Sequence, residues 1–300
     1  MKVRFGHREM EFPSEQLTEL RDSNDVLHDA GALGARLDRD GFLFLRGLID
    51  RDAVMEARAT IMRHLAAQQA LVPGQPVLEG VMPAGGKNVG MMGRKGIVND
   101  PKVSRVLEAP ELFELFGGLF GEPAKTFNYK WLRAVGNEEY TGAHYDIVYM
   151  GRGSDRLHTT WIPMGDMDVE QGTLAMCVGS HSAAEFEKLR RTYGRMDVDR
   201  DLVEGWFTKE PMEITEKFGG QWATTNFRMG DVMIFGMYEM HASTTNLTNR
   251  FRLSCDVRYQ PAGDEADERW MGDQPKGHYA WGKEPGKMKT MEAARAEWGV

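Results

Sequence analysis

Apolar residues at helical spacing predict two amphipathic helices early in the chain. The first begins at a capping Asp50 or Asp52 and extends to about Leu71. Its apolar positions recur every three or four residues and are Val54, Ala57, Ile61 and Leu65. The second covers residues 110–120, because Gly121 is a typical helix stop.

The segments around these helices follow other patterns. A short helical pattern over residues 33–39 precedes the apolar run 42–45, which is typical of a buried strand. Residues 73–95 are rich in Gly, Pro and Met and predict a long loop, a kind of segment that often contacts substrates. Residues 1–24 are polar and predict an entry arm.

From residue 124 onward, short runs of β-branched and aromatic residues replace the helical pattern, and Gly, Asn and Asp separate them. Six of these runs are strand candidates: 125–135, 144–150, 157–164, 172–178, 231–237 and 251–260. Helices followed by many short strands predict an α+β protein with a β-sandwich or jelly-roll core.

The end of the chain, residues 261–300, is charged but contains Trp270, Trp281 and Trp298. So many large aromatic residues are unusual for a disordered tail, so we expect it to wrap the core or to meet a partner. The protein is therefore expected to be a monomer or a homodimer. We predict one domain over residues 1–300, divided into an N-terminal part (1–123), a jelly-roll core (124–260) and a C-terminal extension (261–300).

Composition excludes several classes of protein. The 300 residues include 37 Lys and Arg against 45 Asp and Glu, a net charge of −8, which argues against a nucleic-acid binder. Cys177 and Cys255 are too few for a disulfide scaffold or a four-cysteine zinc site. No apolar run is long enough to span a bilayer, and the N-terminus lacks the apolar region of a signal peptide. These features predict a cytoplasmic protein that binds neither nucleic acid nor membrane.

Two of the eight histidines lie in a pattern that can bind a metal. His144 and Asp146 are two residues apart, so in a strand their side chains point to the same face. His241 follows the later run 230–235. Two histidines and one carboxylate can form a facial triad on Fe(II) that leaves sites open for a cosubstrate and oxygen.

An arginine and a serine are predicted beside this metal site. A turn at 246–249 would fold the chain into a hairpin that pairs His241 with Arg252. Arg252 could then hold a carboxylate by two hydrogen bonds, and Ser254 on the same strand face could donate a third. A metal with open sites next to such a clamp indicates a dicarboxylate that chelates the metal.

The ordered set of motifs resembles the phytanoyl-CoA dioxygenase-like family of Fe(II)- and 2-oxoglutarate-dependent oxygenases. Each motif alone is weak, but the resemblance runs from about Asp40 to about Tyr259. Its motifs are Asp40-Gly41-Phe42, His144-Tyr145-Asp146, Gln171-Gly172-Thr173-Leu174, Gly179-Ser180-His181, Gly230-Asp231-Val232, and His241 followed by Arg252.

The resemblance implies a double-stranded β-helix, of the jelly-roll or cupin-like kind, with iron on His144, Asp146 and His241. It implies that 2-oxoglutarate chelates the iron and places its far carboxylate on Arg252, with Ser254 assisting. Family members often have a further polar contact on an early core strand, for which Lys130 is the candidate. The implied activity is hydroxylation, or another oxidation, of a small organic metabolite by O2, with release of succinate and CO2.

Residues that follow the metal motif are candidates for the substrate site. Tyr145 and Tyr149 could shape a pocket, and Arg152 could meet an anionic substrate. His181 is expected to have a structural role at a turn. The loop 73–95, residues 183–225 and the tail 261–300 are expected to determine specificity, although the substrate itself does not follow from the sequence.

Each of these interpretations has a simpler alternative. The two histidines and Asp146 could be ordinary core residues, and Arg250 or Arg258 could take the role of Arg252. Lys130 could be a surface lysine with a buried stem. At the level of function, the alternatives are a non-catalytic jelly-roll protein that binds a small molecule and a zinc-dependent hydrolase.

Overall fold

The computed structural model describes residues 1–93, 95–280 and 288–300, and two β-sheets form its centre. The strands are β1 (Lys2–Phe5), β2 (Arg8–Glu11), β3 (Leu17–Glu19), β4 (Phe42–Leu45), β5 (Val89–Gly90), β6 (Ala124–Thr126), β7 (Trp131–Val135), β8 (His158–Pro163), β9 (Leu174–Val178), β10 (Gln221–Thr224), β11 (Val232–Gly236), β12 (His241–Ser243) and β13 (Arg252–Pro261).

The larger sheet has seven strands in the order β4-β11-β8-β13-β7-β5, with β6 paired to the far end of β13. All of its pairs are antiparallel. The smaller sheet has the order β12-β9-β10-β3, in which only β3 and β10 are parallel. Strands β1 and β2 form a separate hairpin.

Helices cover the outer faces of the sheets. The α-helices of the described residues are α1 (Ala30–Asp40), α2 (Arg51–Ala67), α3 (Pro101–Leu107), α4 (Pro110–Phe120), α5 (Ile147–Met150), α6 (Glu187–Arg191), α7 (Val198–Asp201), α8 (Met212–Phe218) and α9 (Met291–Trp298). Short 3₁₀ helices cover Asn24–Val26, Val77–Glu79, Gly96–Asn99, Ala184–Phe186, Tyr193–Arg195 and Glu268–Trp270.

Strand alternation explains how three apolar layers arise from these elements. Phe44 and Trp161 of the large sheet meet Met176 of the small sheet in the layer between the sheets. Residues of the opposite parity, such as Leu43 and Val257, pack against α2, α3 and α4 on the other side of the large sheet. The outer face of the small sheet packs against α6, α8 and α9.

The predicted α+β fold, with a two-sheet core and N-terminal flanking helices, is confirmed. The structure contains the predicted helices near 33–39, 50–71 and 110–120, and the predicted strands near 42–45, 157–164, 172–178, 231–237 and 251–260. The predicted arm is more structured than expected, because β3 extends the small sheet beside β10. In the part of the chain that the structure describes, no helix has the length and apolar character to span a membrane.

Two strand predictions were wrong. The run 144–150 is not a strand: the chain leaves the β-bridge at His144, turns at Asp146 and enters α5. Seven residues with mixed apolar and polar character do not distinguish a strand from a turn followed by a short helix. The run 125–135 is two strands, β6 and β7, which pair with different parts of β13.

The C-terminal extension packs on the core, as predicted for a segment that wraps it. Trp270 is buried and contacts Trp131 edge to face, with ring centroids 4.9 Å apart. Arg269 is buried with the carboxylates of Asp199 and Asp267, which joins the extension to α7. Trp281, another tryptophan of the extension, lies outside the described residues.

An ion pair attaches α9 to α8 and predicts a pH-dependent stability. The carboxylate of Glu213 on α8 accepts hydrogen bonds from Arg295 and lies 2.8 Å from the Lys217 ammonium. Burial alone would raise the pKa of Glu213, but these two cations outweigh it and lower the pKa to about 2. A lowered folded-state pKa stabilises the protein above the unfolded pKa, and the contribution is lost as the pH falls through the folded value.

We therefore expect Glu213→Gln to lower the free energy of unfolding by about 2 kcal/mol at pH 7. The difference between variant and wild type should shrink as the pH falls from about 5 toward 2. Urea unfolding at several pH values measures this. Glu216→Gln, at an exposed position on the same helix, is the matched control. A difference that is the same at every pH would contradict the assignment.

Candidate metal centre

The backbone brings two of the candidate metal ligands together. His144 and His241 form an antiparallel β-bridge in which each amide N–H donates to the other residue's carbonyl, at 3.0 and 3.1 Å. Their imidazole rings consequently lie side by side, with centroids 4.1 Å apart. Asp146 follows after one turn residue and directs its carboxylate toward both rings. The metal motif therefore spans the junction of a β-bridge and α5.

The three side chains form a compact, buried ligand set. The Nε2 atoms of His144 and His241 lie 3.5 and 3.6 Å from Oδ1 of Asp146. One ligand atom from each of the three residues lies within 4.8 Å of the other two. Ligands about 2.1 Å from one ion and at right angles to each other are about 3 Å apart, so a small inward adjustment would let the set hold a divalent ion.

Backbone carbonyls hold both histidines in the ring orientation that a metal requires. Nδ1 of His144 lies 2.8 Å from the Gly142 carbonyl oxygen, and Nδ1 of His241 lies 2.9 Å from that of Glu239. Because a carbonyl oxygen only accepts, each Nδ1 carries a proton, and in the neutral ring the lone pair is then on Nε2. Hydrogen bonds of this kind are the usual outer support of metal-binding histidines.

Charge in the centre also suits a cation. Burial alone would raise the pKa of Asp146, but the positive charge of Arg258 holds that pKa well below its usual range. Burial and the neighbouring His144 lower the pKa of His241 to about 3, so its imidazole is neutral at pH 7. A carboxylate anion and a neutral imidazole are the protonation states that bind metals.

Two residues hold the other oxygen of this carboxylate. Oδ2 of Asp146 accepts hydrogen bonds from the Thr159 hydroxyl and from Nη2 of Arg258, the latter at 3.0 Å. We expect Thr159→Val to weaken Fe(II) binding by about tenfold, because the ligand carboxylate loses a support that orients it. Anaerobic Fe(II) titration measures the change.

The adjacent residue offers a matched control. The Thr160 hydroxyl is buried and has no hydrogen-bond partner in the described structure. Thr160→Val should therefore leave iron affinity unchanged and leave stability unchanged or slightly higher. Equal iron affinity in the two variants would show that Thr159 does not support the ligand.

Arg252 lies in the neighbouring core but not where the hairpin prediction put it. Strand β12, which carries His241, pairs with β9 in the small sheet, whereas Arg252 begins β13 in the large sheet. The predicted cross-strand pairing of His241 with Arg252 is therefore wrong. The two strands belong to opposite sheets, because residues 244–251 cross from one sheet to the other instead of forming a tight turn.

The Arg252 guanidinium is buried without an anion. Its Nη1 donates to the Ser254 hydroxyl, and its Nε has no hydrogen-bond partner. No carboxylate of the described residues lies within 4.0 Å of it. Burial, together with the charge of Arg133, lowers the pKa of Arg252 to about 10, so it remains charged at pH 7. A buried cation that lacks a partner is costly and indicates a site for an anionic ligand.

The rival arginines have other partners. Arg250 is exposed and forms an ion pair with Glu79, 2.8 Å away. Arg258 is buried against Asp146, and its guanidinium lies 4.7 Å from the centre of the Trp131 ring. The sequence suggested Arg258 only as an alternative to Arg252. The alternation of β13 was a usable signal for it, since residues 252, 254, 256 and 258 share one strand face.

Three of the predicted site residues are not brought to the metal centre. Lys130 is buried, but its ammonium lies 3.0 Å from the Glu108 carboxylate next to α3 and donates to the Phe127 carbonyl. Tyr145 is in the core behind the small sheet, stacked on Tyr193. Arg152 holds Asp197 by two hydrogen bonds of 2.6 and 3.0 Å.

Of the two remaining candidates, Tyr149 lies at the centre and His181 does not. Tyr149 does lie at the centre, with its ring edge to face on His144 at 5.6 Å. His181 lies apart from the ligand set, with Nδ1 3.1 Å from Glu239 and Nε2 2.9 Å from the Asp38 carbonyl oxygen. These contacts agree with the structural role expected for His181.

A pocket of about 1410 Å³ opens beside His144 and Asp146. Its walls include parts of all three segments that were expected to determine specificity: residues 88–92, 204–213, and 270–278 with 291–300. Trp131, Arg133 and Arg258 of the large sheet form part of its inner surface. The centre is thus a buried ligand set at the end of a large, mixed apolar and charged pocket.

Comparison with known proteins agrees with this geometry. The sequence pattern of the family "Phytanoyl-CoA dioxygenase (PhyH)" matches residues 37–254, which is most of the chain. The chain belongs to the phytanoyl-CoA dioxygenase family. The matched range contains all three candidate metal ligands as well as Arg252 and Ser254.

Individual relatives are more distant. A 1-deoxypentalenic acid 11-beta-hydroxylase of Streptomyces exfoliatus is 26% identical over 265 residues, which cover 83% of this chain and 87% of that protein. The epimerase SnoN of nogalamycin biosynthesis, in complex with Fe3+, alpha ketoglutarate and nogalamycin RO, has a TM-score of 0.54 at 21% identity, covering 82% of this chain and 92% of SnoN.

EctD from S. alaskensis, with 2-oxoglutarate and 5-hydroxyectoine, has a TM-score of 0.53 at 16% identity, covering 88% of this chain and 86% of EctD. At such identities the likeness of SnoN and EctD to this chain is a likeness of fold. It agrees with the cupin-like, double-stranded β-helix class that the sequence predicts.

Proposed function

We propose that this chain is an Fe(II)- and 2-oxoglutarate-dependent dioxygenase that oxidises a small organic molecule with O2 and releases succinate and CO2. His144, Asp146 and His241 hold the iron in this proposal. One observation carries it: two imidazole Nε2 atoms and one carboxylate converge in a buried site, with the other ring nitrogen of each histidine already hydrogen-bonded. Membership in the PhyH family supports it.

The environment of Arg252 fits the cosubstrate. 2-Oxoglutarate is a dianion whose far carboxylate needs a cation, and Arg252 is a buried cation that lacks an anion. Ser254, which accepts from Arg252, is placed to share the same carboxylate. Relatives support the pairing of iron with this cosubstrate, since SnoN has been crystallised with Fe3+ and alpha ketoglutarate and EctD with 2-oxoglutarate.

When bound, iron and 2-oxoglutarate supply the activation of O2 that oxidises the substrate. The protein's own residues do the rest. Arg258 and Thr159 orient Asp146, and the charge of Arg258 favours its ionised form, so only a small inward adjustment of the ligand set is needed when the metal enters. Tyr149 packs against His144 and covers the centre on the pocket side.

The substrate of the proposed reaction enters the pocket beside the centre. Hydroxylation is supported by the Streptomyces exfoliatus relative, which is a 1-deoxypentalenic acid hydroxylase. Tyr149 is the only one of the three proposed substrate residues that lines this pocket. Three other predicted site residues each contact another side chain of the protein instead: Lys130, Tyr145 and Arg152. Mutation of each tests whether it has any role in binding.

Spectroscopy and product analysis test the function. Anaerobic addition of Fe(II) and 2-oxoglutarate should produce a weak visible charge-transfer band, and exposure to O2 should then produce succinate. A protein that binds the probes but forms no succinate with any candidate substrate would be the non-catalytic alternative. Bound zinc without oxygen uptake would indicate the hydrolase instead.

We expect one oxygenase domain over residues 1–300, which is supported by β3 joining the small sheet and by α9 packing on α8. We expect a cytoplasmic monomer or homodimer. Two free, buried cysteines, Cys177 and Cys255, suit a reducing compartment. Analytical ultracentrifugation distinguishes the two assembly states.

A further inference from the structure

The inner face of the large sheet carries an excess of positive charge beside the metal centre. Three guanidinium groups lie on this face of β7 and β13: Arg133, Arg252 and Arg258. Among the described residues, the carboxylates that form ion pairs with them are Asp256 and the metal ligand Asp146. The two positive charges of Fe(II) and the two negative charges of 2-oxoglutarate would cancel each other. One positive charge then remains for a further anion.

Arg133 is the member of this group that faces the open pocket. Arg252 and Arg258 are nearly completely buried, whereas the Arg133 side chain is 36% exposed and lines the pocket. Its Nη2 lies 3.0 Å from Oδ2 of Asp256, and it has no other polar contact in the described structure. Its remaining N–H groups are therefore available to a ligand. A planar guanidinium edge matches a carboxylate.

Aromatic side chains border the space between Arg133 and the metal centre. Trp131, Tyr129 and Trp270 form a cluster with ring centroids 4.8 to 5.2 Å apart, and all three line the pocket. Trp206 and Tyr149 also line it. Such surfaces bind apolar rings by stacking and by burial of apolar area.

The strand register places Arg133 next to the proposed cosubstrate site. Arg133 pairs with Ser254 on β13, two residues from Arg252. Its effect on 2-oxoglutarate binding is therefore measured together with its effect on acid binding.

Acidic residues at the pocket mouth do not cancel this charge. Glu213 is bound to Arg295, and Glu139 lies 3.0 Å from the Lys87 ammonium. Glu204 accepts the backbone N–H of Met291. Glu210 contacts the His7 ring, and Glu292 is exposed. These groups are partly exposed and are screened by solvent, whereas the charges on the sheet are buried or half-buried and are screened much less.

We infer that the substrate is a monocarboxylic acid with an apolar, ring-containing body, and that its carboxylate binds Arg133. This inference rests on the proposed function, because the charge balance assumes that iron and 2-oxoglutarate fill the centre. It makes Arg133 the residue that selects acids over their neutral analogues.

Matched acid and amide probes test the inference. We would measure binding of 2-naphthylacetic acid and 2-naphthylacetamide, and of adamantane-1-carboxylic acid and its amide, by calorimetry on anaerobic protein with Fe(II) and 2-oxoglutarate. At least one acid should bind about tenfold more tightly than its amide. Arg133→Gln should remove this preference and leave amide binding unchanged, whereas Arg133→Lys should keep most of it.

Controls separate this inference from the proposed function. Lys276→Gln, which removes an exposed cation from the pocket wall, should keep the preference for acids. The charge-transfer band of Arg133→Gln should match that of the wild type, and absence of the band from the wild type would instead overturn the proposed function. The inference fails if no acid binds more tightly than its amide, if Arg133→Gln weakens acid and amide equally, or if it weakens 2-oxoglutarate binding and leaves the preference intact.

Discussion

His241→Ala is expected to reduce Fe(II) affinity by more than about 100-fold and to abolish succinate formation. The loss of a supporting residue alone typically costs 10- to 100-fold in metal affinity, and the loss of a direct ligand costs more. The vacated ring space also leaves His144 without the neighbour whose centroid lies 4.1 Å away. Anaerobic Fe(II) titration with the visible band as the signal measures the effect. His144→Ala should behave in the same way.

A histidine outside the centre provides the control. His64 lies on the solvent-facing side of α2 and contacts Gln68, so His64→Ala should bind iron as the wild type does. Thermal unfolding of the metal-free proteins should show that His241→Ala is still folded. Wild-type iron affinity in a folded His241→Ala variant would refute the ligand assignment.

Arg252→Met is expected to raise the dissociation constant for 2-oxoglutarate by about 100-fold or more. Removing one member of a buried charge pair costs about 2–5 kcal/mol, much of it from the partner that is left unpaired. The metal-free, ligand-free protein should respond in the opposite direction. Because Arg252 is then a buried cation without an anion, a methionine of similar length should leave stability unchanged or raise it.

These opposite effects distinguish a ligand-binding arginine from a structural one. A structural arginine would lose stability when replaced, whatever happens to 2-oxoglutarate. Arg250→Met is the matched control, because Arg250 is two residues away, is exposed and is paired with Glu79. If Arg252→Met bound 2-oxoglutarate as the wild type does and Arg250→Met bound it more weakly, the carboxylate site would be assigned to Arg250.

The sequence was most informative where local pattern and function coincide. Alternation along β13 is continuous, so the spacing of Arg252 and Ser254 is enough to place both side chains on one strand face. His144 and Asp146 also converge as predicted, although through a turn and not through a strand. A spacing of two residues brings side chains together in a strand and in this turn. The two side chains are therefore close to each other although the predicted strand is absent.

Long-range placement could not be predicted in the same way. The hairpin that would pair His241 with Arg252 is favoured by a turn-like sequence, but β12 and β13 find better partners in opposite sheets. Lys130 is a residue type that often binds anionic ligands. Its ammonium nevertheless lies against the Glu108 carboxylate. Arg152 is neutralised by Asp197, which is distant in sequence. Pairings of this kind depend on which surfaces meet after folding.

The sequence alone was sufficient to predict the family, the α+β class with a double-stranded β-helix core, and the candidate metal ligands. These follow from local periodicity and from ordered motifs, which the chain contains directly. Only the tertiary structure shows that Arg258 and Thr159 support Asp146. It also shows that Arg252 is a buried cation without an anion and that Arg133 faces the pocket. Each of these depends on the packing of two sheets against each other, because burial and the identity of the nearest charge arise only when segments distant in the chain come into contact.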